Sequence, residues 1–232
     1  MNINLSMHII NMKDIEIIDL LRKMPLFGFN DIKKYFPNTA NDFVNKLIKS
    51  KHIFKLKKGL YSCYNDPYIL ANYLVTPSYI TSVSALSHYG LIDQLPHDII
   101  SFTSKKTKSI KFNRTFFYYN TKYFFGFKEE EYNGFKVRFA LPEKAVLDSF
   151  FTMPLEYFVD VFDELNIGLL KTYLKKINDI SLNKRVGYIL EKKGIDVDLF
   201  VKDYNYVLLN PTGPNKGSKN KKWHIIENYG DL

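Results

Sequence analysis

Two prolines, Pro25 and Pro37, cut the start of the chain into segments too short for anything but brief helices. A proline lacks the amide proton a helix needs and clashes with the turn before it. Ahead of Pro25, Ile17, Leu20, Leu21 and Met24 recur at helical spacing and predict a first helix over 13–24. The stretch from Met24 to Asn30 reads as a turn and nothing more. Asn30 then caps a predicted second helix over 31–36, with Ile32, Tyr35 and Phe36 facing inward. Thr39 and Asp42, three residues apart, resemble a capping box for a third helix ending near Ser50. Its apolar stripe is Phe43, Val44, Leu47 and Ile48, which leaves Asn41, Asn45, Lys46 and Lys49 on the opposite face.

Directly afterwards, Ile53, Phe54 and Leu56 alternate with lysines, and Leu60 and Tyr61 follow a turn signal at Lys58-Gly59. Two short strands are predicted here, carrying Lys55, Lys57 and Lys58. Helix, helix, helix and basic hairpin, in that order, is the plan of a winged helix-turn-helix, and residues 1–65 are expected to form such a DNA-binding domain.

Charge supports that division. The chain has a formal net charge of +9, and clustered lysine and arginine attract polyanions. Residues 1–65 hold 11 Lys+Arg and 5 Asp+Glu, a net of +6, whereas residues 66–232 hold 22 and 19, a net of +3. Between Lys33 and Lys58 eight lysines face one acid, Asp42. Double-stranded DNA is therefore the expected partner. Asn41 and Asn45 are the candidates for reading bases, since an asparagine amide can contact adenine through two hydrogen bonds. Lys46, Lys49, Lys55, Lys57 and Lys58 are the candidates for holding phosphates.

Residues 66–232 are expected to form an α+β domain, with a small antiparallel sheet followed by C-terminal helices. Helices are predicted over 66–75 and 82–89, and strands over 99–103, 114–120 and 129–140, the last broken at Asn133-Gly134. Further helices are predicted over 143–151, 155–165, 168–177, 182–193 and 197–203. Residues 212–222, with four lysines and no acid, are expected to be a mobile loop tethered by a closing strand.

No cofactor is expected. Cys63 is the single cysteine, so no intrachain disulfide can form, and His8, His52, His88, His97 and His224 lack metal-ligand spacing. No long uncharged apolar run occurs and the N-terminus does not read as a signal peptide, so a cytoplasmic protein with no membrane partner is expected.

The segment FVNKLIKSKHIFKLKKGLYSC resembles the N-terminal module of AbiEi-type antitoxins of abortive-infection systems. PSYITSVSALSHYGLID, IISFTSKK and YFFGFKEEEYNGFKVRFALPEKAVLDSF then follow in the order of that family, so the resemblance spans about residues 10–165. The tail YVLLNPTGPNKGSKNKKWHII is similar to the family's closing segment, with less arginine and aspartate than relatives show. The resemblance implies a winged-helix transcriptional repressor that binds inverted repeats in its own promoter. It also implies the antitoxin role of a type IV pair, set against a nucleotidyltransferase-like toxin. The chain is therefore expected not to be an enzyme.

The alternative is a nucleic-acid-processing enzyme that uses the winged helix as a docking arm. Glu143, Lys144 and Asp148 are the nearest thing to a metal-dependent nuclease fragment, yet Pro142 and Glu143 are ordinary helix-start chemistry. Ser84 and His88, one helical turn apart, lack a carboxylate partner, and His88 reads as a packing residue. Glu129, Glu130 and Glu131 read as a solvated turn. The aromatic run from Phe116 to Phe125 can be read as stacking platforms for single-stranded nucleic acid, with core packing the stronger reading.

Overall fold

A computed structural model describes residues 12–94, 96–199 and 201–230. Residues 1–11, His8 included, lie outside that range, as does Phe200 within the helix expected over 197–203. The described residues form a mixed α+β fold with eight α-helices and three sheets.

Helices α1 (Met12–Arg22), α2 (Phe29–Lys33) and α3 (Ala40–Lys49) enclose one apolar cluster built from Ile17, Leu21, Ile32, Phe43, Val44 and Leu47. Strands β1 (Phe27–Gly28), β2 (Phe54–Lys57) and β3 (Leu60–Ser62) close it as an antiparallel sheet in the order β1-β3-β2. Strand β1 lies in the stretch read from sequence as only a turn. Two residues suffice for it, because Phe27 is buried opposite Tyr61 and the Phe29 amide donates to the Gly59 carbonyl.

The second helix starts earlier than expected, with Gly28 at its N-cap position and its amide donating to Asp31 at 2.9 Å. Tyr35, expected inside, is exposed. The Thr39 hydroxyl makes no capping bond, so the anticipated capping box does not form. Helix α3 ends instead on a Schellman turn: the Lys51 amide reaches the Ile48 carbonyl and the His52 amide reaches that of Leu47. Lys51 takes the left-handed position, with φ 58°.

The second sheet has six strands in the order β6-β7-β5-β4-β9-β8, where β4 is Ser78–Ile80, β5 Ile99–Thr103, β6 Ile110–Phe112, β7 Arg114–Asn120, β8 Phe127–Tyr132 and β9 Phe135–Ala140. It is mixed and not antiparallel as expected, since β5 pairs with β7, and β4 with β9, in parallel. Alternation assigns the two faces. Ile80, Ile99, Phe116, Val137 and Phe139 pack with α4 (Pro67–Leu74) and with Leu56 from the β2–β3 hairpin. Tyr79, Phe102 and Ala140 point the other way, into the larger cluster formed with α5 (Ser82–His88), α6 (Pro142–Ser149), α7 (Ile167–Ile177) and α8 (Ile180–Lys192). Phe116 and Tyr118 are buried in the core, while Tyr119 is exposed.

The helix expected over 155–165 is two short 3-10 turns, Leu155–Tyr157 and Asp160–Glu164. The described residues of 197–203 carry no regular structure. Strands β10 (Val207–Leu208), β11 (Ser218–Asn220) and β12 (Ile225–Glu227) form a third sheet, so part of the expected loop at 212–222 is strand. Trp223 docks this sheet on α8, where a Cβ at Gly187 would lie 2.1 Å from its ring.

Gly187→Ala tests that contact, because helix propensity and packing predict opposite signs. Propensity alone would stabilise α8 by up to about 1 kcal/mol. The buried indole has no room to retreat, so a net loss of about 1–3 kcal/mol in chemical denaturation is expected. A red shift of Trp223 emission should accompany it.

Candidate nucleic-acid interface

Helix α3 presents Asn41, Asn45 and Lys49 at intervals of four residues, all three exposed on one stripe. Phe43, Val44 and Leu47 are buried on the other side and fix the helix's rotation about its axis. Phe36 packs on Phe43 with ring centroids 4.1 Å apart, which pins the connection between α2 and α3. The hairpin beyond carries Lys55, Lys57 and Lys58, all exposed. Gly59 supplies the turn's left-handed residue, with φ +75°.

Lys46 is placed differently. Its ammonium lies 2.5 Å from the Asp14 carboxylate of α1, and its side chain is only 21% exposed. Asp14 itself is buried. This pair joins the first helix to the third, so the Lys46 ammonium is engaged within the unit and does not stand with the exposed stripe of Asn41, Asn45 and Lys49. The sequence could not show this, since helical spacing puts position 46 near the exposed stripe and Asp14 is 32 residues away.

The structure adds a basic segment that net charge concealed. Residues 99–128 contain seven Lys and Arg and no acid, and Ser104–Ser109 and Lys111 are exposed. Lys105 is held by the Thr76 carbonyl, leaving Lys106, Lys108 and Lys111 as the outward charges. One shared cluster and one hydrogen bond relate this segment to the end of the N-terminal unit. Leu56 shares a cluster with Ile110 and Phe112 of β6, and the Asn113 amide donates to the Asn65 side chain at 3.3 Å.

The link between the N-terminal unit and the large sheet is polar as well. Asp66 caps α4 by accepting from the amides of Tyr68 and Ile69, and its other oxygen accepts from the Tyr132 hydroxyl at 3.2 Å. Burial, with Asp66 close by, pushes the Tyr132 phenol up to about 12. The Tyr64 hydroxyl donates back to the Arg22 carbonyl at 2.7 Å, and its ring packs edge-on against Phe135.

The residues weighed as catalytic are otherwise engaged. Lys144 and Asp148 form a buried ion pair, with Tyr79 and Thr81 donating to the carboxylate at 3.0 and 2.7 Å. Burial drives both groups toward their neutral forms, and their mutual attraction opposes it. Glu143 accepts from the Asn166 amide at 3.0 Å. Among the described residues no group of three His, Cys, Asp or Glu side chains is placed to hold a metal ion. The Ser84 hydroxyl accepts from the Ile100 amide, and His88 stacks on Phe139 at 3.7 Å and, contrary to the expectation from sequence, has a carboxylate neighbour in Glu130 at 3.2 Å.

Glu129–Glu131 lie in strand β8 and not in a turn. Glu129 pairs with Arg138 and Lys136. Burial alone would raise the Glu130 carboxyl, but hydrogen bonds from Lys128, His88 and Tyr89 outweigh it and hold the group below the usual carboxylate range. No helix among the described residues is long and apolar enough to cross a membrane.

No protein-family model and no curated protein matches the chain. Among solved structures, that of the Rv2827c protein from Mycobacterium tuberculosis is similar, with a TM-score of 0.61, 10% sequence identity, and coverage of 94% of this chain and 92% of that one. At that identity the likeness is one of fold, and it extends over nearly the whole of both chains.

Lys46→Ala is expected to destabilise the protein by about 1–3 kcal/mol, because it takes the ammonium partner from a buried carboxylate. Lys49→Ala, on the exposed stripe, should stay within about 0.5 kcal/mol of the parent. Urea denaturation of the two variants side by side checks the assignment, and equal stabilities would refute it.

Proposed function

We propose that the chain is a transcriptional regulator that binds double-stranded DNA through residues 12–65 acting as a winged helix-turn-helix. The observation that carries the reading is the exposed stripe Asn41, Asn45 and Lys49 on the last helix of a three-helix unit, followed at once by a hairpin with three exposed lysines. Helix α3 has ten residues, and an α-helix about 10–12 Å across with its side chains fits a major groove about 12 Å wide.

In this reading Asn41 and Asn45 reach base edges and Lys49 holds phosphate at the helix end. Lys55, Lys57 and Lys58 follow the backbone beside the groove, and Lys106, Lys108 and Lys111 extend the track. The resemblance of residues 10–165 to AbiEi-type antitoxins supports the fuller role: repression of its own operon and antagonism of a nucleotidyltransferase-like toxin. Two copies on inverted repeats would lie about one DNA turn apart, roughly 34–36 Å between half-site centres.

Salt-titrated binding to the duplex upstream of its own gene, against a scrambled duplex, tests the proposal. Selective binding to the upstream duplex is expected. Asn41→Ala should narrow the preference by about 1–3 kcal/mol. Lys49→Ala, Lys57→Ala and Lys108→Ala should weaken binding to both duplexes and lower the salt slope by about 1 each. Equal, weak binding to both duplexes would overturn the regulator reading. Failure of the protein to relieve growth arrest by the adjacent gene's product would overturn the antitoxin role alone.

A further inference from the structure

The small C-terminal sheet has an inner and an outer face. Ile225 is fully buried on the side of Trp223 and α8. Alternation along β10 and β12 turns Leu208 and Ile226 the other way, Lys219 stands opposite Ile226 in register, and Tyr206 and His224 flank the two strands at their starts.

Three rings meet on that outer face. Tyr204 is 88% exposed and meets His224 edge-on at 5.6 Å. Tyr206 meets the same imidazole at 5.4 Å. The Lys219 ammonium lies 5.0 Å over the Tyr206 ring, in the position of a cation on a π face.

The charge around these rings is basic. Residues 212–224 contain Lys216, Lys219, Lys221 and Lys222 and no acid. Lys222 is tied to Glu191, while Lys216 and Lys221 are exposed. The neighbouring acids are engaged: Asp203 lies 3.8 Å from Lys184, and Glu227 accepts from the Tyr188 hydroxyl at 2.8 Å.

His224 is costly where it stands. Its backbone is left-handed, with φ 51°, and its Nδ1 is buried with no hydrogen-bond partner among the described residues. A buried polar atom without a partner opposes folding. Nothing in the packing of the tail on α8 requires an imidazole at this position, nor a tyrosine ring as open as that of Tyr204.

We propose that this face binds single-stranded nucleic acid. Tyr204 offers its open ring to an unpaired base, His224 and the Lys219-covered Tyr206 form the wall beside it, and Lys216, Lys219 and Lys221 hold the flanking phosphates. Base stacking on exposed aromatic side chains flanked by lysines is the sequence-tolerant chemistry of single-strand binding. A duplex cannot use the rings, because its bases are already stacked on one another. A small cation finds the Tyr206 face taken by Lys219. The site shares no residue with the proposed duplex interface and does not depend on it.

Fluorescence anisotropy of the full chain with labelled oligouridylate and oligothymidylate of about 10 nucleotides tests the inference, in the presence of excess unlabelled scrambled duplex to occupy the N-terminal surface. Binding of at least one probe is expected, and the RNA and DNA arms report which sugar is accepted. Tyr204→Ala should weaken it about tenfold, and Lys219→Ala should lower its salt slope. Neither substitution should alter duplex binding or Trp223 emission. Loss of duplex selectivity with single-strand binding intact would sink the regulator reading and leave this one standing. Absence of binding to both probes, or unchanged affinity in Tyr204→Ala, would overturn the inference.

Discussion

The buried pair Lys144–Asp148 is the contact on which the rest of the molecule depends. Strand β4 is only three residues long, yet it sits inside the six-stranded sheet and faces β9 through a single register pair, Ile80 with Phe139. All three of its residues pair with β5 on the other side, so its attachment toward β9 is the weaker one. The Asp148 carboxylate supplies what is missing by accepting from Tyr79 on β4 and from Thr81 just after it, while Lys144 donates to the Tyr79 hydroxyl at 2.9 Å. Gly126 keeps the channel narrow, since a Cβ there would lie 2.9 Å from the lysine stem. Desolvating two charges is expensive, and such pairs often add little net stability. Removing one partner, however, strands the other, which makes the arrangement specific even where it is not strongly stabilising. With β4 fixed, Ser78 and Asn72 exchange hydrogen bonds that seat α4, and the cap of α4, Asp66, accepts from Tyr132 at the end of β8.

Much of this was legible in the sequence where the local signal was strong. Strands at Ile99–Thr103 and Arg114–Asn120 and the break at Asn133-Gly134 stand where alternation and turn chemistry put them. Helices with a proline or an aspartate at the start were placed to within a residue or two: α4 behind Asp66-Pro67, and α6 at Pro142. The stripe Asn41, Asn45 and Lys49 followed from periodicity alone.

What was missed depends on partners far away in sequence. Strands β1, β4 and β6 have two or three residues each and exist only because a neighbour offers an edge. Leu155–Leu165 carries helical spacing, but its chain follows two 3-10 turns that bury Leu155, Val161 and Phe162 against the large core. Lys46 carries a sequence signal no different from that of Lys49, and only Asp14 separates them. In each case tertiary contact overrides a local preference that was itself read correctly.

Net charge conceals local order for a related reason. The sum of +3 for residues 66–232 cannot distinguish mixed charge from sorted charge. Residues 154–166 hold Glu156, Asp160, Asp163 and Glu164 with no base, whereas residues 99–128 and 212–224 hold lysines with no acid. Folding then separates these blocks. The first basic block is tied through Asn113 to Asn65, three residues beyond β3, and the second puts Lys219 over the Tyr206 ring of the C-terminal sheet. A field acts over about 8–10 Å at physiological salt, so a phosphate responds to its own block and not to the chain's total. The relevant quantity is therefore local charge on a folded surface, and by that measure the second half of the chain is as basic in places as the first.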